Sequence, residues 1–273
     1  MTAIEPGAAP ESAAAEEFWA VLRRTTQARV GLGRTGDALP TRRVLEFRAA
    51  HAAARDAVHT PLDVGEFGAR VAEVGLGTPV HVRSRAADRS EYLRRPDLGR
   101  LPAESESAVG EGLSTVPATS ADIGFVLADG LSPRALADHG VPMLRALVAA
   151  LGERYTLAPP VIASQARVAL GDHIGEALGV TTLLVLIGER PGLSVADSLG
   201  IYLTHRPRPG RVDAERNCIS NIHPPEGLGY DRAARVAVGL VDDARRLGRS
   251  GVDLKDTVGD AAMISSARVV EVG

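Results

Sequence analysis

Two short runs of almost uninterrupted apolar residues, Asp122 to Ala128 (DIGFVLA) and Thr182 to Ile187 (TLLVLI), limit the possible folds more than any other feature of this chain. Runs of that length without polar alternation read as strands covered on both faces, which is the situation of a parallel sheet with helices packed above and below. The covering helices can be read between and after them. Ser132-Pro133 has the form of an N-cap with proline at the first helical position, and predicts a helix to about Leu151. Pro159 to Ala163 predicts another strand, Ala166 to Leu178 a stretch of mixed or helical character, and Gly200 to Thr204 a further strand. Tyr230 to Leu247 predicts a helix stopped by Gly248, with Arg245 and Arg246 in its last turn. Alternation of this kind places the chain in the α/β class, with a C-terminal doubly wound Rossmann-like sheet. Ligands of such sheets sit beyond the C-terminal ends of the strands, so the loops after Ala128, Ile187 and Thr204 are where a site is expected.

The first half reads as mainly helical. Residues 1–15 are rich in Ala, Pro and Glu without an apolar period and are expected to form a flexible tail. A helix is expected from Glu16, with Phe18, Leu22 and Ala28 or Val30 on one face, and a second from Arg42 to His59 with Thr41 as N-cap. Val44, Phe47, His51, Ala54 and Val58 form the apolar face of the second, which makes His51 a hydrogen-bonded core histidine rather than a metal ligand. Between the two helices, Gly31-Leu32-Gly33-Arg34-Thr35-Gly36 matches G-x-G-x-x-G, but a helix precedes it and Asp37 to Pro40 follows, so it is expected to be a structural turn and not a nucleotide loop. Ser84 to Arg100 carries charges of both signs and reads as a solvated face or a polar subunit contact. Residues 102–120 lack periodicity and mark a boundary, giving a region 16–112 and an α/β domain 113–273.

Composition narrows the function. Four Phe, four Tyr and one Trp are too few for a single-strand nucleic-acid platform, and a net charge of −3 lacks the electrostatic footprint of a duplex binder. One cysteine, Cys218, rules out an internal disulfide and multi-cysteine metal sites, and suits a reducing compartment. No apolar run approaches the roughly 20 residues that a membrane helix needs, and the N-terminus lacks the pattern of a secretory signal, so a cytoplasmic location is expected. Catalytic motifs are missing too: there is no G-x-S-x-G elbow, P-loop or H-E-x-x-H helix, and spacing identifies no base for Cys218. The loops at 188–198 and 211–223 are rich in small and polar residues, which suits a neutral ligand decorated with amides. The residues alone lead to a ligand-binding α/β protein without an acid–base set.

Several long stretches resemble the small subunit of adenosylcobalamin-dependent ethanolamine ammonia-lyase. They are LGRTGDALPTRRVLEFRAAHAAARDAVH at 32–59, SRAADRSEYLRRPDLGR at 84–100, VLADGLSPRAL at 126–136, LIGERPGL at 186–193, DSLGIY at 197–202 and DAERNCISNIHPPEGL at 213–228. The resemblance implies half of an enzyme that converts ethanolamine to acetaldehyde and ammonia by radical chemistry. The large barrel subunit would hold the substrate, and this chain would cover the cofactor from the other side, with its N-terminal region contacting the large subunit. It carries the cofactor contacts onto Val168 in QARVAL, Glu189 in IGERPG and Cys218 in RNCISN, with Cys218 in a packing and backbone role. Arg167, Arg190 and Asn217 follow as contacts to the nucleotide tail or as neighbouring polar contacts, while Arg206, Arg208 and Arg211 read as a solvated loop. Asp172-His173-Ile174-Gly175 does not fit the D-x-H-x-x-G pattern of a histidine lower ligand, so adenosylcobalamin is expected to keep its own base on cobalt. The family implies an assembly of six large and six small subunits, in the cytoplasm or inside a bacterial microcompartment. The competing reading is a free-standing cobalamin- or nucleotide-binding module.

Overall fold

A computed structural model describes residues 13–26, 28–104 and 112–254. The expected tail at 1–15 lies mostly outside these residues, and helix α1 spans Ala13–Thr25. Helices α2 (Thr41–His59) and α3 (Val64–Ala72), strand β1 (Val80–Arg83) and helix α4 (Arg89–Arg94) complete the first half. The second half contains β2 (Ile123–Ala128), α5 (Pro133–Leu151), β3 (Val161–Ser164), α6 (Leu170–Leu178), β4 (Thr182–Gly188), β5 (Leu199–His205), β6 (Asn217–Ile222) and α7 (Tyr230–Leu247). Among the described residues no helix is long and apolar enough to cross a membrane.

The six strands form one sheet in the order β1-β3-β2-β4-β5-β6. Successive side chains of a strand point to opposite faces, and the two faces have separate cores. Ile123, Phe125, Leu127, Leu184, Leu186, Ile201 and Leu203 pack under α5 and α7. Val126, Ala128, Leu183, Val185 and Ile187 pack under α6 and the segment around Val116 and Ala121. This double cover explains why β2 and β4 read as continuous apolar runs. Helix α5 starts as expected: the Ser132 hydroxyl accepts from the Ala135 N–H at 3.1 Å, and Pro133 follows. Helix α7 stops at Gly248, which takes a left-handed conformation and donates to the Ala244 carbonyl.

Strands β1 to β4 are parallel, but β5 is antiparallel to β4 and β6 to β5. The short loop 189–198 lacks the crossover that a parallel β4–β5 pair needs. Gly188 therefore pairs with Leu199 and Thr182 with His205, and the loops after Ile187 and Thr204 leave from opposite sheet edges rather than from one. Residues 217–222, expected in a loop, form β6 and return the chain to the Glu189 edge.

In the first half, Thr41 is the first helical residue and Pro40 the N-cap, in extended conformation with no side-chain cap. His51 is exposed and stacks on Phe47 at 6.2 Å, because only the C-terminal part of α2 is anchored, through buried Ala57. His51 is thus not a core residue. The 31–36 segment follows α1 and ends in a turn in which Thr35 and Ala38 pair through their backbones, as expected of a structural element.

At the edge opposite Glu189, buried His205 lies 3.3 Å from the Thr182 hydroxyl. Burial first, and then the charges of Arg206, Arg245 and Arg211, hold its pKa below the ordinary 6.5. The folded state disfavours its protonation, so its contribution to stability is complete above about pH 6.5 and is lost as pH falls through the depressed folded value. Thermal melts between pH 8 and 5 should show a smaller acid loss for His205→Gln than for the parent; equal losses would remove His205 as a cause.

Candidate functional site

After β2 the chain crosses to β3 on one side of the sheet, and after β3 it returns to β4 on the other, so the order of strands switches beside β2. At that switch two backbone segments touch. Leu131 N–H donates to the Gly188 carbonyl at 2.9 Å. Gly130 has φ +57, and a Cβ there would lie 2.2 Å from the Gly188 oxygen. A Cβ on Gly188 would lie 2.0 Å from the Ser132 oxygen. Beside this contact opens a cleft of about 430 Å³, lined by Leu131, Ile187, Gly188, Glu189, Arg190 and Tyr202 on one side and by Tyr92, Arg167 and Val168 on the other. It occupies the position where an α/β sheet of this kind holds its ligand.

Glu189 joins three segments. Its carboxylate accepts from the Ser198 hydroxyl at 2.5 Å, the Ser220 hydroxyl at 2.5 Å and the Asn221 N–H at 3.2 Å. Asn221 is in the left-handed region with φ +65, and its side-chain oxygen meets His223 Nε2 at 2.8 Å. A carboxylate offers about four acceptor positions, so roughly one stays open toward the cleft. Glu189 is therefore a half-buried hub and not a free loop residue.

Cys218 is not among the lining residues; it sits next to the cleft, paired with Tyr202 across β5 and β6. The Tyr202 hydroxyl donates to the Cys218 sulfur. Desolvation of the thiol raises its pKa, with the Glu189 charge adding to this against the opposing Tyr202 hydrogen bond. Cys218 is exposed, and a thiol whose pKa is raised is a poor nucleophile. The Tyr202 hydroxyl is itself pushed well above the ordinary range, chiefly by desolvation.

The opposite wall rests on residues that sequence reasoning did not select. Buried Asp129, just after β2, accepts from the N–H groups of Gln165 at 2.8 Å and Ala166 at 3.0 Å, and so fixes the 165–168 turn, in which Gln165 has φ +53. Burial raises the Asp129 pKa, while nearby Arg89 and these N–H groups oppose the rise. Arg89 donates to the carbonyls of Val58 and Gly130 at 2.7 and 2.8 Å. Tyr92 is fully buried and donates to the Ala166 carbonyl at 3.0 Å, with its ring between the guanidiniums of Arg89 at 4.8 Å and Arg167 at 4.4 Å. In Ser84 to Arg100 most charged residues, Arg85, Asp88, Arg94, Arg95, Asp97 and Arg100 among them, are exposed as expected of a solvated face, but Tyr92 is buried with Arg89 at its ring. The available signal was Asp129-Gly130 directly after a buried strand.

The cleft brings Val168, Glu189, Arg167 and Arg190 together, with Cys218 one strand away. Asn217 lies elsewhere, with its side chain occupied by the Gly251 N–H and the carbonyls of Gly251 and Leu254. Arg211 pairs with Glu215 and donates to the His205 carbonyl at the far edge. Among the described residues no group of three His, Cys, Asp or Glu side chains could hold a metal ion. The arrangement offers donors, acceptors and an apolar wall, which is the chemistry of binding.

The family model for the ethanolamine ammonia-lyase light chain (EutC) matches residues 16–255. The ethanolamine ammonia-lyase small subunit of Rhodococcus erythropolis is 69% identical over 241 residues, covering 88% of this chain and 91% of that protein. That of Ralstonia nicotianae is 47% identical over 240 residues, covering 87% and 88%. That of Xanthomonas campestris pv. campestris is 48% identical over 241 residues, covering 88% of each.

Proposed function

Because this chain belongs to the ethanolamine ammonia-lyase light-chain family, we propose that its cleft closes one side of an adenosylcobalamin site completed by the large subunit. The observation that carries this reading is the cleft itself, which at about 430 Å³ is too small for a corrin with its side arms but suits the rim of one. Its donor set fits carboxamide arms: the free acceptor capacity of Glu189, the Tyr202 hydroxyl, and donors on Arg167 and Arg190 around apolar Val168. When bound, the cofactor supplies the radical chemistry that turns ethanolamine into acetaldehyde and ammonia. Val168 and Glu189 would hold its rim, Cys218 would back that wall from β6 behind Tyr202, and the substrate would lie in the large subunit. Exposed Phe18, Leu45 and Phe47 in α1 and α2 support a contact with that subunit through the N-terminal region. An assembly of six large and six small chains belongs to the same proposal, with native mass spectrometry as its check.

Omitting this chain from co-expression with the large subunit is expected to abolish deamination in the presence of adenosylcobalamin; undiminished activity would refute the reading. Tight stoichiometric cofactor binding by the isolated chain would favour the free-standing module instead. The same proposal has the cofactor keep its own base on cobalt. Electron paramagnetic resonance of the cob(II)alamin state should show superhyperfine coupling insensitive to ¹⁵N labelling of protein histidine.

Glu189→Ala is expected to weaken cofactor affinity by about tenfold or more and to cost about 1–2 kcal/mol of stability, since the Ser198, Ser220 and Asn221 donors lose their acceptor. Titration and thermal melts of the assembled complex check both. Unchanged affinity would remove Glu189 from the site.

A further inference from the structure

On α5 the imidazole of His139 is buried but held on one side only. Its Nδ1 lies 2.7 Å from the hydroxyl of Tyr230, the first residue of α7, whereas its Nε2 is buried with no hydrogen-bond partner among the described residues. The carboxylate of Asp197 stops short of it, with Oδ2 at 3.7 Å. A buried polar group left in that state is costly, and a shift of about 0.8 Å would complete an ordinary hydrogen bond. The carboxylate favours the tautomer with its proton on Nε2, in which the Tyr230 hydroxyl donates to Nδ1.

Asp197 is placed so that such a shift reaches the cleft. It belongs to the loop 189–198, whose ends meet where the Glu189 N–H donates to the Ser198 carbonyl at 2.9 Å. The Ser198 hydroxyl also donates to the Glu189 carboxylate, so Asp197 acts on Glu189 through a single residue. On its other side, the Ala196 carbonyl accepts from the Ser132 hydroxyl of α5 at 2.9 Å, which makes Ala196 the pivot.

We propose that His139 and Asp197 form a latch for the loop 189–198: Asp197 accepts from His139 Nε2 when a ligand engages Glu189, and the gap reopens on release. This rests on the cleft being a cofactor site and adds how the chain retains the loaded state. The two events share one loop, so each favours the other to the same degree. Tyr230 is a positioning residue that aims the imidazole.

The test is amide exchange and cofactor dissociation in the full two-chain complex with adenosylcobalamin. In the parent, saturating cofactor should slow exchange of residues 190–198 by about tenfold or more. Asp197→Ala should remove that protection and speed cofactor dissociation by about tenfold to hundredfold, with association within about twofold. His139→Leu should do the same, and the double variant should be no worse than either single, because both ends serve one contact. Asp197 is partly exposed, so its variant serves if His139→Leu does not assemble. Tyr230→Phe should give a smaller loss of the same sign. Loop exchange that ignores the cofactor, single variants with parent-like dissociation, or additive losses in the double variant would overturn the latch while leaving the cofactor site in place. A parent complex that does not bind adenosylcobalamin would remove the site and the latch together.

Discussion

Gly188→Ala is expected to destabilise the protein by about 3 kcal/mol or more, or to prevent it from folding. The new methyl group would lie 2.0 Å from the Ser132 oxygen, 2.7 Å from its carbonyl carbon and 2.8 Å from the Asp129 oxygen. All three are backbone atoms, so no side chain can swing aside. Relief requires β4 to move from the start of α5, which also breaks the Leu131–Gly188 hydrogen bond and deforms the cleft. Gly65→Ala is the control. Gly65 is exposed in α3, and the nearest atom to its added Cβ, Asp63 Oδ1, is at 3.5 Å, so alanine there should stabilise by about 0.5–1 kcal/mol through helix propensity. Urea denaturation of the two variants should give shifts of opposite sign; a well-folded Gly188→Ala with a parent-like midpoint would contradict the close contact of the two segments.

Asp172→Ala is expected to cost about 3–5 kcal/mol. The side chains of Asp172 on α6 and Arg216 before β6 are both 2% exposed and form a bidentate pair, with both distances 2.7 Å. Thr204 lies 2.9 Å from the same guanidinium. Removing the carboxylate leaves a buried cation facing hydroxyl and carbonyl oxygens, with exposed Asp213 at 3.7 Å as a solvent-screened partner. Replacing both partners, as in Asp172→Leu with Arg216→Met, removes the desolvation cost along with the attraction and should restore much of the loss. Denaturant midpoints of the single and double variants give the cycle; a double variant as unstable as the single would show that the pair is needed for more than charge balance.

What could be read from the sequence follows from how local its causes are. Helices α5 and α7 begin and end on residues whose effect is local, Ser132-Pro133 and Gly248. Strands β2 and β4 are buried on both faces and show it in their composition. β6 could not be read that way, because NCISNI is an edge strand in which only Ile219 and Ile222 are buried, and its partner β5 depends on a reversal of direction that periodicity does not encode. The four residues of β1 are too few to carry a pattern. In α2, Phe47 and His51 have core-like spacing, but the helix turns that face to solvent. For the site, Val168, Glu189 and Cys218 came from motif resemblance. Asp129, Tyr92 and Arg89 were hidden because their roles depend on contacts between segments far apart in sequence.

The three-way junction at Glu189 has a consequence for local unfolding. Its carboxylate ties the loop after β4 to Ser220 and Asn221 on β6, so the edge strand cannot peel away without releasing that carboxylate. A ligand that engages Glu189 must therefore slow amide exchange along β6 well outside its own footprint, with Asn221 the most sensitive reporter. The same amide will exchange fastest when the cleft is empty, which makes it a gauge of occupancy independent of turnover.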